Sequence, residues 1–151
     1  MTDTLIDRRD LEFLLYDVLD TGSLCDRERY NEHSRETFDA VIETADKIAR
    51  DKFAPHNSEA DKNEPQFVNG QVEMIPQVKE AFDAYAEAGF LTGRYDYDLG
   101  GMQLPETVMA ACNGFFTAAN PGTAGYAFLT TAAANLIRSC PLHCYGAPTC
   151  P

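Results

Sequence analysis

Four residues with the chemistry of zinc ligands lie within the last twelve positions of this chain. Thiolates and imidazoles bind structural zinc, and this stretch holds Cys140, His143, Cys144 and Cys150. Structural zinc sites usually bring two ligand pairs together across a loop, whereas these four candidates are close in sequence, among three prolines. We therefore predict no metal site and interpret the stretch as an irregular, thiol-bearing tail.

A second candidate for ligand binding is the loop sequence Asp98-Leu99-Gly100-Gly101. Adjacent glycines let a backbone approach a ligand closely, and they also make ordinary turns. The chain has neither the Gly-x-Gly-x-x-Gly pattern nor the glycine–lysine pair that is typical of phosphate-binding loops. The local chemistry therefore favours a plain turn.

The residue types used for acid–base and nucleophilic catalysis form no recognisable group. His33, His56 and His143 are far apart in the sequence, and no serine lies in a Gly-x-Ser-x-Gly context. Most Asp and Glu residues fall on the polar faces of predicted helices, where carboxylates are usually solvated. We therefore predict no catalytic residue in this chain.

The composition restricts the class of protein and its partners. The 151 residues correspond to one domain, and 24 acidic against 12 basic residues give a net charge of −12. Such an acidic chain argues against binding to nucleic acid or to an anionic membrane. The first ten residues contain five charged side chains and no apolar core of a signal peptide, so we expect a cytoplasmic protein with reduced thiols.

The spacing of apolar residues predicts an all-α fold, a helical bundle with one short β-hairpin. Five helices are expected: over residues 5–20, up to Pro55, from Pro76 to Gly89, from Pro105, and after Pro121-Gly122. Proline suits the first turn of a helix, and glycine suits its carboxyl-terminal cap. Residues 56–73 are loop-like except for Phe67–Val72, in which Asn69-Gly70 predicts a type I′ hairpin turn.

One stretch, from Thr107 to Ile137, contains no charged side chain, although 36 of the 151 residues are charged. Polar and helix-breaking residues at its centre, Pro121 and Gly122 among them, argue against a membrane span. We interpret the stretch as a buried helical hairpin from a larger, layered protein. The small and hydroxyl residues on its helices suit either close packing of another helix or the wall of a slot for a long, thin ligand. Local reasoning favours packing.

Several segments in a fixed order make the chain resemble the amino-terminal part of flavin-dependent acyl-CoA dehydrogenases. They are Val78–Phe82, Ala86–Phe90, Asp98–Pro105 and the hairpin that ends in Ala132–Leu136. Two earlier segments, Asp10–Leu19 and Lys52–Pro55, are similar to the extended amino terminus of a longer subfamily that includes 3-methylmercaptopropionyl-CoA dehydrogenase. Most family members have Tyr before the paired glycines and another glycine soon after. Leu99 and Met102-Gln103 occupy that stretch here and fit the longer subfamily better.

The resemblance implies an oxidoreductase in which a glutamate removes the α-proton of an acyl-CoA while FAD accepts the β-hydrogen as hydride. It also implies that the β-domain holding most of the flavin, and the helical bundle supplying the glutamate, lie outside this chain. Position by position, Ala124, Phe128 and Leu129 would face the acyl-chain slot beside the flavin. Intact members of the family are usually homo-oligomers.

We therefore predict an amino-terminal extension helix in residues 1–33, the helical domain of an acyl-CoA dehydrogenase in residues 34–138, and an irregular tail in residues 139–151. The abrupt change of composition at the tail suggests a shifted reading frame. As a truncated portion of the enzyme, the chain is expected neither to hold FAD tightly nor to oxidise acyl-CoA. The alternative is a non-enzymatic helical interaction module that docks its uncharged hairpin on a partner chain.

Overall fold

The computed structural model describes residues 5–139. These residues form an all-α structure with one short β-hairpin, as the sequence predicted. The elements are α1 (Arg8–Glu12), α2 (Arg35–Ile48), α3 (Asn57–Lys62), β1 (Gln66–Val68), β2 (Gln71–Glu73), α4 (Pro76–Glu87), α5 (Glu106–Ala119) and α6 (Pro121–Ser139). The tail predicted from residue 139 lies outside the described residues, apart from Ser139 at the end of α6.

The segment before α2 is helical over a shorter range than residues 5–20. It begins at α1, whose Asp7 cap accepts a hydrogen bond of 2.9 Å from the Arg9 amide, and continues as a π-helical turn, Phe13–Val18. Two 3-10 turns, Thr21–Asp26 and Glu28–Tyr30, then lead to α2. This segment lies against the start of α2, where the Tyr16 hydroxyl donates a hydrogen bond of 2.6 Å to Asp39.

The core is built around α2 and α5, which share the most extensive contact between two elements. Apolar residues recur every three or four positions on both helices, so each presents a buried face. The buried residues are Phe38, Ile42 and Ala45 on α2, and Val108, Met109, Ala111, Cys112, Phe115, Phe116 and Ala119 on α5. Phe116 is the centre of an aromatic cluster, with ring centroids 4.9 Å from Phe53, 4.9 Å from Tyr85 and 5.3 Å from Phe90.

Local signals in the sequence define both ends of α4. Pro76 occupies its first turn, as predicted, because the missing N–H has no partner at that position in any helix. Gly89 follows its last turn with φ of 83°, a conformation that costs glycine little. The amide of Phe90 donates to the Tyr85 carbonyl at 3.2 Å and that of Gly89 to the Ala86 carbonyl at 2.9 Å, which is the Schellman arrangement.

The β-hairpin forms at the predicted Asn-Gly turn. Strands β1 and β2 pair antiparallel, with Phe67 opposite Val72. Asn69 and Gly70 have φ angles of 51° and 82°, and a type I′ turn requires positive φ at both central positions. Both strands are exposed along their whole length, so the hairpin adds little to the core.

The second helix ends before Pro55, as predicted, but one prediction between it and the hairpin was wrong. α-Helical pairing ends at Ile48, and a wider π-helical turn, Ala49–Phe53, precedes a 3-10 turn, Ala54–His56. Proline has no N–H for an α-helical hydrogen bond and its ring crowds the preceding turn, so the winding changes before it. Residues 57–62, predicted as loop, form α3. None of them is buried, so no apolar periodicity marked this helix.

The uncharged stretch folds as α5 and α6, and the two helices differ in burial. Helix α5 is covered by other elements of the chain over much of its surface, whereas the buried residues of α6 are Thr123, Ala124, Ala127 and Thr131. The opposite face of α6 leaves Leu129, Leu136 and Ile137 72%, 65% and 71% exposed. No helix in residues 5–139 is both long and apolar enough to cross a membrane.

Candidate functional site: a cleft beside Arg94

A cleft of about 190 Å³ lies where α4, the following loop, α5 and α6 meet. We call it the Arg94 cleft. Its lining combines hydrogen-bonding groups with apolar side chains, and it consists of Tyr85, Arg94, Asn113, Phe128, Thr131, Ala132 and Asn135. The three residues Phe128, Thr131 and Asn135 follow the spacing of one helix face, so α6 supplies a continuous wall.

The loop between α4 and α5 places Arg94 in the cleft, and its paired glycines close the turn that the sequence predicted. Gly100 has φ of 73°, and a Cβ added to Gly101 would collide with the Tyr95 carbonyl group. Backbone hydrogen bonds fix the turn, including 3.0 Å from the Gly101 amide to Asp96 O and 2.9 Å from the Gln103 amide to Tyr95 O. The backbone beside Arg94 is therefore held on both sides.

Side chains of the segment before α2 form further contacts with the loop between α4 and α5. The Arg29 guanidinium forms an ion pair with Asp96 and donates a hydrogen bond of 3.2 Å to the Arg94 carbonyl. In return, the Gln103 side chain donates to the Arg29 carbonyl at 2.9 Å. His33 Nε2 donates to the carbonyl of Met102 at 2.9 Å, so this histidine helps to hold the loop in place.

The electrostatics of the Arg94 cleft are set by burial and by one exposed carboxylate. Burial raises the pKa of the Tyr85 phenol to about 12, while the nearby charge of Arg94 lowers it. The Tyr85 hydroxyl donates to Asn113 Oδ1 at 3.4 Å. Arg94 Nε lies 2.5 Å from Glu106 Oε2, an ionic contact without an aligned N–H, and the Glu106 side chain is 72% exposed. The guanidinium is therefore only partly neutralised.

The three residues predicted to face a ligand slot lie in different environments on α6. Phe128 lines the Arg94 cleft and is partly buried. Ala124, one turn before it, is fully buried against the core. Leu129 points to the exposed face of the helix. Their contact with a ligand stays a prediction.

The remaining lining residues were not singled out as site residues from the sequence. Tyr85 lies on the buried face of α4, and Asn113 and Thr131 lie on the helices of the uncharged stretch. The sequence does contain one indication of the cleft: Asn113 is a polar side chain inside an uncharged helix, where a buried polar group needs a hydrogen-bond partner. Arg94 carried no local signal, because its position depends on the closed loop.

His56 supports the structure near the start of α6. It is buried, and its Nε2 lies 2.9 Å from Thr123 Oγ1. Asn120, also buried, accepts a hydrogen bond of 3.0 Å from the Thr123 amide and donates one of 3.3 Å to the Phe53 carbonyl. These bonds anchor the first turn of α6 to Phe53–His56 and so orient the helix that walls the Arg94 cleft.

Within residues 5–139 no three His, Cys, Asp or Glu side chains are grouped as a metal site would require. The zinc-ligand types of the tail lie outside the described residues. Cys25 and Cys112 are free thiols in the part of the chain that the structure describes. Burial raises the pKa of the Cys112 thiol to about 12, so it acts as a small core residue.

A second groove lies on the hairpin side of α4 and α6. Two adjoining hollows of about 270 and 250 Å³ share Met74, Val78 and Tyr126. The larger hollow has Asp61 and Glu64 on its lining, so it offers no attraction to an anionic ligand. It contains none of the predicted slot residues.

Comparison with known proteins gives one informative similarity. The chain is 32% identical over 89 residues to a butyryl-CoA dehydrogenase of Syntrophomonas wolfei. The aligned part is 56% of this chain and 15% of that protein, so the chain spans a small part of its relative. No protein-family model matches the chain. The similarity supports a relationship to acyl-CoA dehydrogenases and does not distinguish the longer subfamily.

Proposed function

We propose that residues 34–138 are the amino-terminal helical domain of an acyl-CoA dehydrogenase and that the Arg94 cleft walls its acyl-chain slot. The observation that carries the proposal is the position of Phe128. This residue was assigned to the slot through the family resemblance, and it lines a cleft together with the small and hydroxyl face of α6. The 32% identity to a butyryl-CoA dehydrogenase supports the same assignment.

In the proposed enzyme this chain binds and shields the acyl group, while the remaining domains carry out the chemistry. FAD supplies the acceptor for the β-hydride in such enzymes. The clefts described above measure about 190 to 270 Å³, below the roughly 300–1,000 Å³ typical of ligand pockets. We therefore assign no flavin step to these residues. Phe128 and Ala132 would provide apolar contact for the acyl chain.

The exposed face of α6 fits a domain that another layer covers in the complete enzyme. Leu129, Leu136 and Ile137 lie on this face, and burying a leucine or isoleucine fully stabilises a protein by about 1.5–3 kcal/mol. We propose that Leu129 meets the slot where that layer closes over α6. We further propose a cytoplasmic location and oligomers assembled through the other domains.

The same face also favours the second candidate, a non-enzymatic module that docks on a partner chain. The two proposals differ in the ligand. The enzyme domain would bind acyl-CoA in the Arg94 cleft. The docking module would bind a partner protein on the exposed face of α6 and bind nothing in the cleft.

Titration of the ¹⁵N-labelled chain with butyryl-CoA, followed by NMR, tests the proposed function. We expect chemical-shift changes at Asn113, Phe128 and Asn135, and none in the hairpin, because the acyl group enters the Arg94 cleft. Coenzyme A without an acyl group should leave the cleft signals in place.

A matched pair of variants makes this experiment specific. Ala132→Trp fills the cleft and should abolish the shift changes, whereas Ala133→Trp on the exposed neighbouring position should preserve them. Shift changes confined to the outer face of α6, or none at all, would count against the slot.

A further inference from the structure

The polar side of the Arg94 cleft is rich in hydrogen-bond donors. Within residues 5–139 the Nη groups of Arg94 and the side-chain amide NH₂ groups of Asn113 and Asn135 donate no hydrogen bond to the protein. Among the acceptors of the cleft, Asn113 Oδ1 already receives the Tyr85 hydroxyl at 3.4 Å. Thr131 Oγ1 donates to the Ala127 carbonyl at 2.9 Å. The cleft therefore presents donors that call for an oxygen acceptor.

The apolar side of the same cleft is short. Phe128 and Ala132 lie on α6, with Asn135 two turns beyond Phe128 and Thr131 between them. A few methylene groups can pack along Phe128 and Ala132 before a ligand reaches the polar groups. Such a lining suits a short acyl chain that ends in a polar group better than it suits a longer hydrocarbon.

The charge of Arg94 is available to a ligand. Its neighbour Glu106 is mostly exposed, so water can solvate this carboxylate when it leaves the guanidinium. Arginine binds carboxylates and carbonyl oxygens through a planar fork of N–H groups. The loop hydrogen bonds fix the backbone around Arg94, and the Arg94 side chain lines the cleft.

A hydrocarbon acyl group would leave these donors without a partner. A site built to hydrogen-bond a ligand rejects the analogue that lacks the bonding group, because its own polar groups lose water and gain nothing. The partial opening of the Arg94 cleft to solvent reduces this penalty, so we expect discrimination of about tenfold rather than the about 10⁴-fold of enclosed sites.

We propose that the Arg94 cleft selects acyl thioesters whose acyl group carries an oxygen acceptor at its far end, a ketone or a carboxylate. This inference rests on the proposed function, since it assumes that the cleft receives an acyl group. Arg94 is the specificity residue, and Asn113 and Asn135 supply the additional donors.

Three thioesters of matched size test the inference by NMR titration of the full 151-residue chain. They are pentanoyl-CoA, with a hydrocarbon end, 4-oxopentanoyl-CoA, with a ketone, and succinyl-CoA, with a carboxylate. We expect at least one oxygenated thioester to bind with a Kd about tenfold below that of pentanoyl-CoA. A preference for succinyl-CoA identifies the charged end group, and a preference for 4-oxopentanoyl-CoA identifies the neutral one.

Variants separate the donor effect from a general change of structure. Arg94→Met should bring the three Kd values together, because it removes the guanidinium and keeps an apolar stem of similar length. Glu106→Gln should strengthen binding of succinyl-CoA, because it removes the competing carboxylate. Lys79→Met, on an exposed position of α4 outside the Arg94 cleft, should change none of the three values.

Different results would contradict the selectivity of the Arg94 cleft and its role as an acyl-chain slot. Equal or tighter binding of pentanoyl-CoA, with shift changes at the cleft, would overturn the inference and leave the slot intact. The same result follows if Arg94→Met keeps the preference for an oxygenated thioester. Absence of cleft shift changes with all three thioesters would overturn both proposals.

Discussion

At the scale of single residues, burial decides the chemistry of Tyr85. Its side chain is almost fully buried in the aromatic cluster around Phe116, and only the hydroxyl reaches the Arg94 cleft and Asn113. Desolvation disfavours the charged phenolate, and this effect outweighs the attraction of Arg94, so the pKa rises. Tyr85 therefore acts as a neutral hydrogen-bond donor at physiological pH.

The raised pKa of Tyr85 predicts a loss of stability at alkaline pH. An unfolded tyrosine ionises at about pH 10, whereas the folded phenol ionises at about 12. Its contribution is therefore complete below about pH 10 and is lost as the pH rises towards about 12. Urea unfolding across this range should show a smaller decline in the free energy of unfolding for Tyr85→Phe than for the unaltered chain. An equal decline in both would contradict the assignment, and Tyr126→Phe, on an exposed residue, is the control.

Phe116 is the residue whose loss should damage the core most. Its ring meets three other aromatic rings and is fully buried. Phe116→Ala should lower the free energy of unfolding by about 3–5 kcal/mol, because it opens a cavity that rigid neighbours cannot fill. Phe67→Ala, on the exposed hairpin, should change it by about 0.5 kcal/mol or less. Similar values for the two variants, measured by urea unfolding, would show that the cluster is not the centre of the core.

At the scale of elements, the sequence predicted what depends on local chemistry. The type I′ turn at Asn69-Gly70 and the glycine cap after α4 follow from φ angles that only certain residues adopt easily. Helix α3 was missed because its residues are exposed and leave no apolar pattern. Of the residues that line the Arg94 cleft, only Phe128 is among the predicted slot residues, because the others come together through contacts between elements distant in sequence.

The loop that carries Arg94 gives a prediction at this scale. Gly101→Ala should destabilise the loop strongly, because the new Cβ meets the Tyr95 carbonyl group and only a backbone shift relieves the collision. Gly100→Ala has free space around the new methyl group but keeps a positive φ, so it should cost about 1 kcal/mol. NMR should show altered Asn113 and Phe128 signals in the first variant and not in the second. Unchanged cleft signals in Gly101→Ala would mean that the loop does not position Arg94.

At the scale of the whole molecule, the burial of α6 is uneven: one face packs on the core and the other exposes apolar side chains. Helices α2, α4 and α5 enclose the aromatic cluster without help from residues beyond those described. The face with Leu129, Leu136 and Ile137 lacks such cover among residues 5–139. The fold is therefore complete around Phe116 and open along one side of α6.

This open face predicts self-association of the isolated chain. Exposed apolar patches favour contacts between copies, and replacing Leu129, Leu136 and Ile137 with Gln should remove them. Sedimentation velocity at increasing concentration should show larger species for the unaltered chain than for the triple variant, while urea unfolding of dilute samples stays similar. Serine substitutions at the exposed Phe13, Leu14 and Val18 form the matched control and should have a smaller effect on association. If the unaltered chain stays monomeric at all concentrations, the exposed face of α6 no longer supports a domain that covers it.

The bonds from Arg29 reach a loop that is 65 residues further along the chain. A substitution at Arg29 would therefore shift the loop that carries Arg94 and so alter the Arg94 cleft, although Arg29 does not line this cleft. We expect substitutions at these two positions to be coupled: loss of the charge at Arg29 should destabilise the loop less when Asp96 is also replaced. Exchanging the two side chains, Arg29→Asp with Asp96→Arg, should recover the ion pair that either replacement alone removes, but not the hydrogen bond to the Arg94 carbonyl.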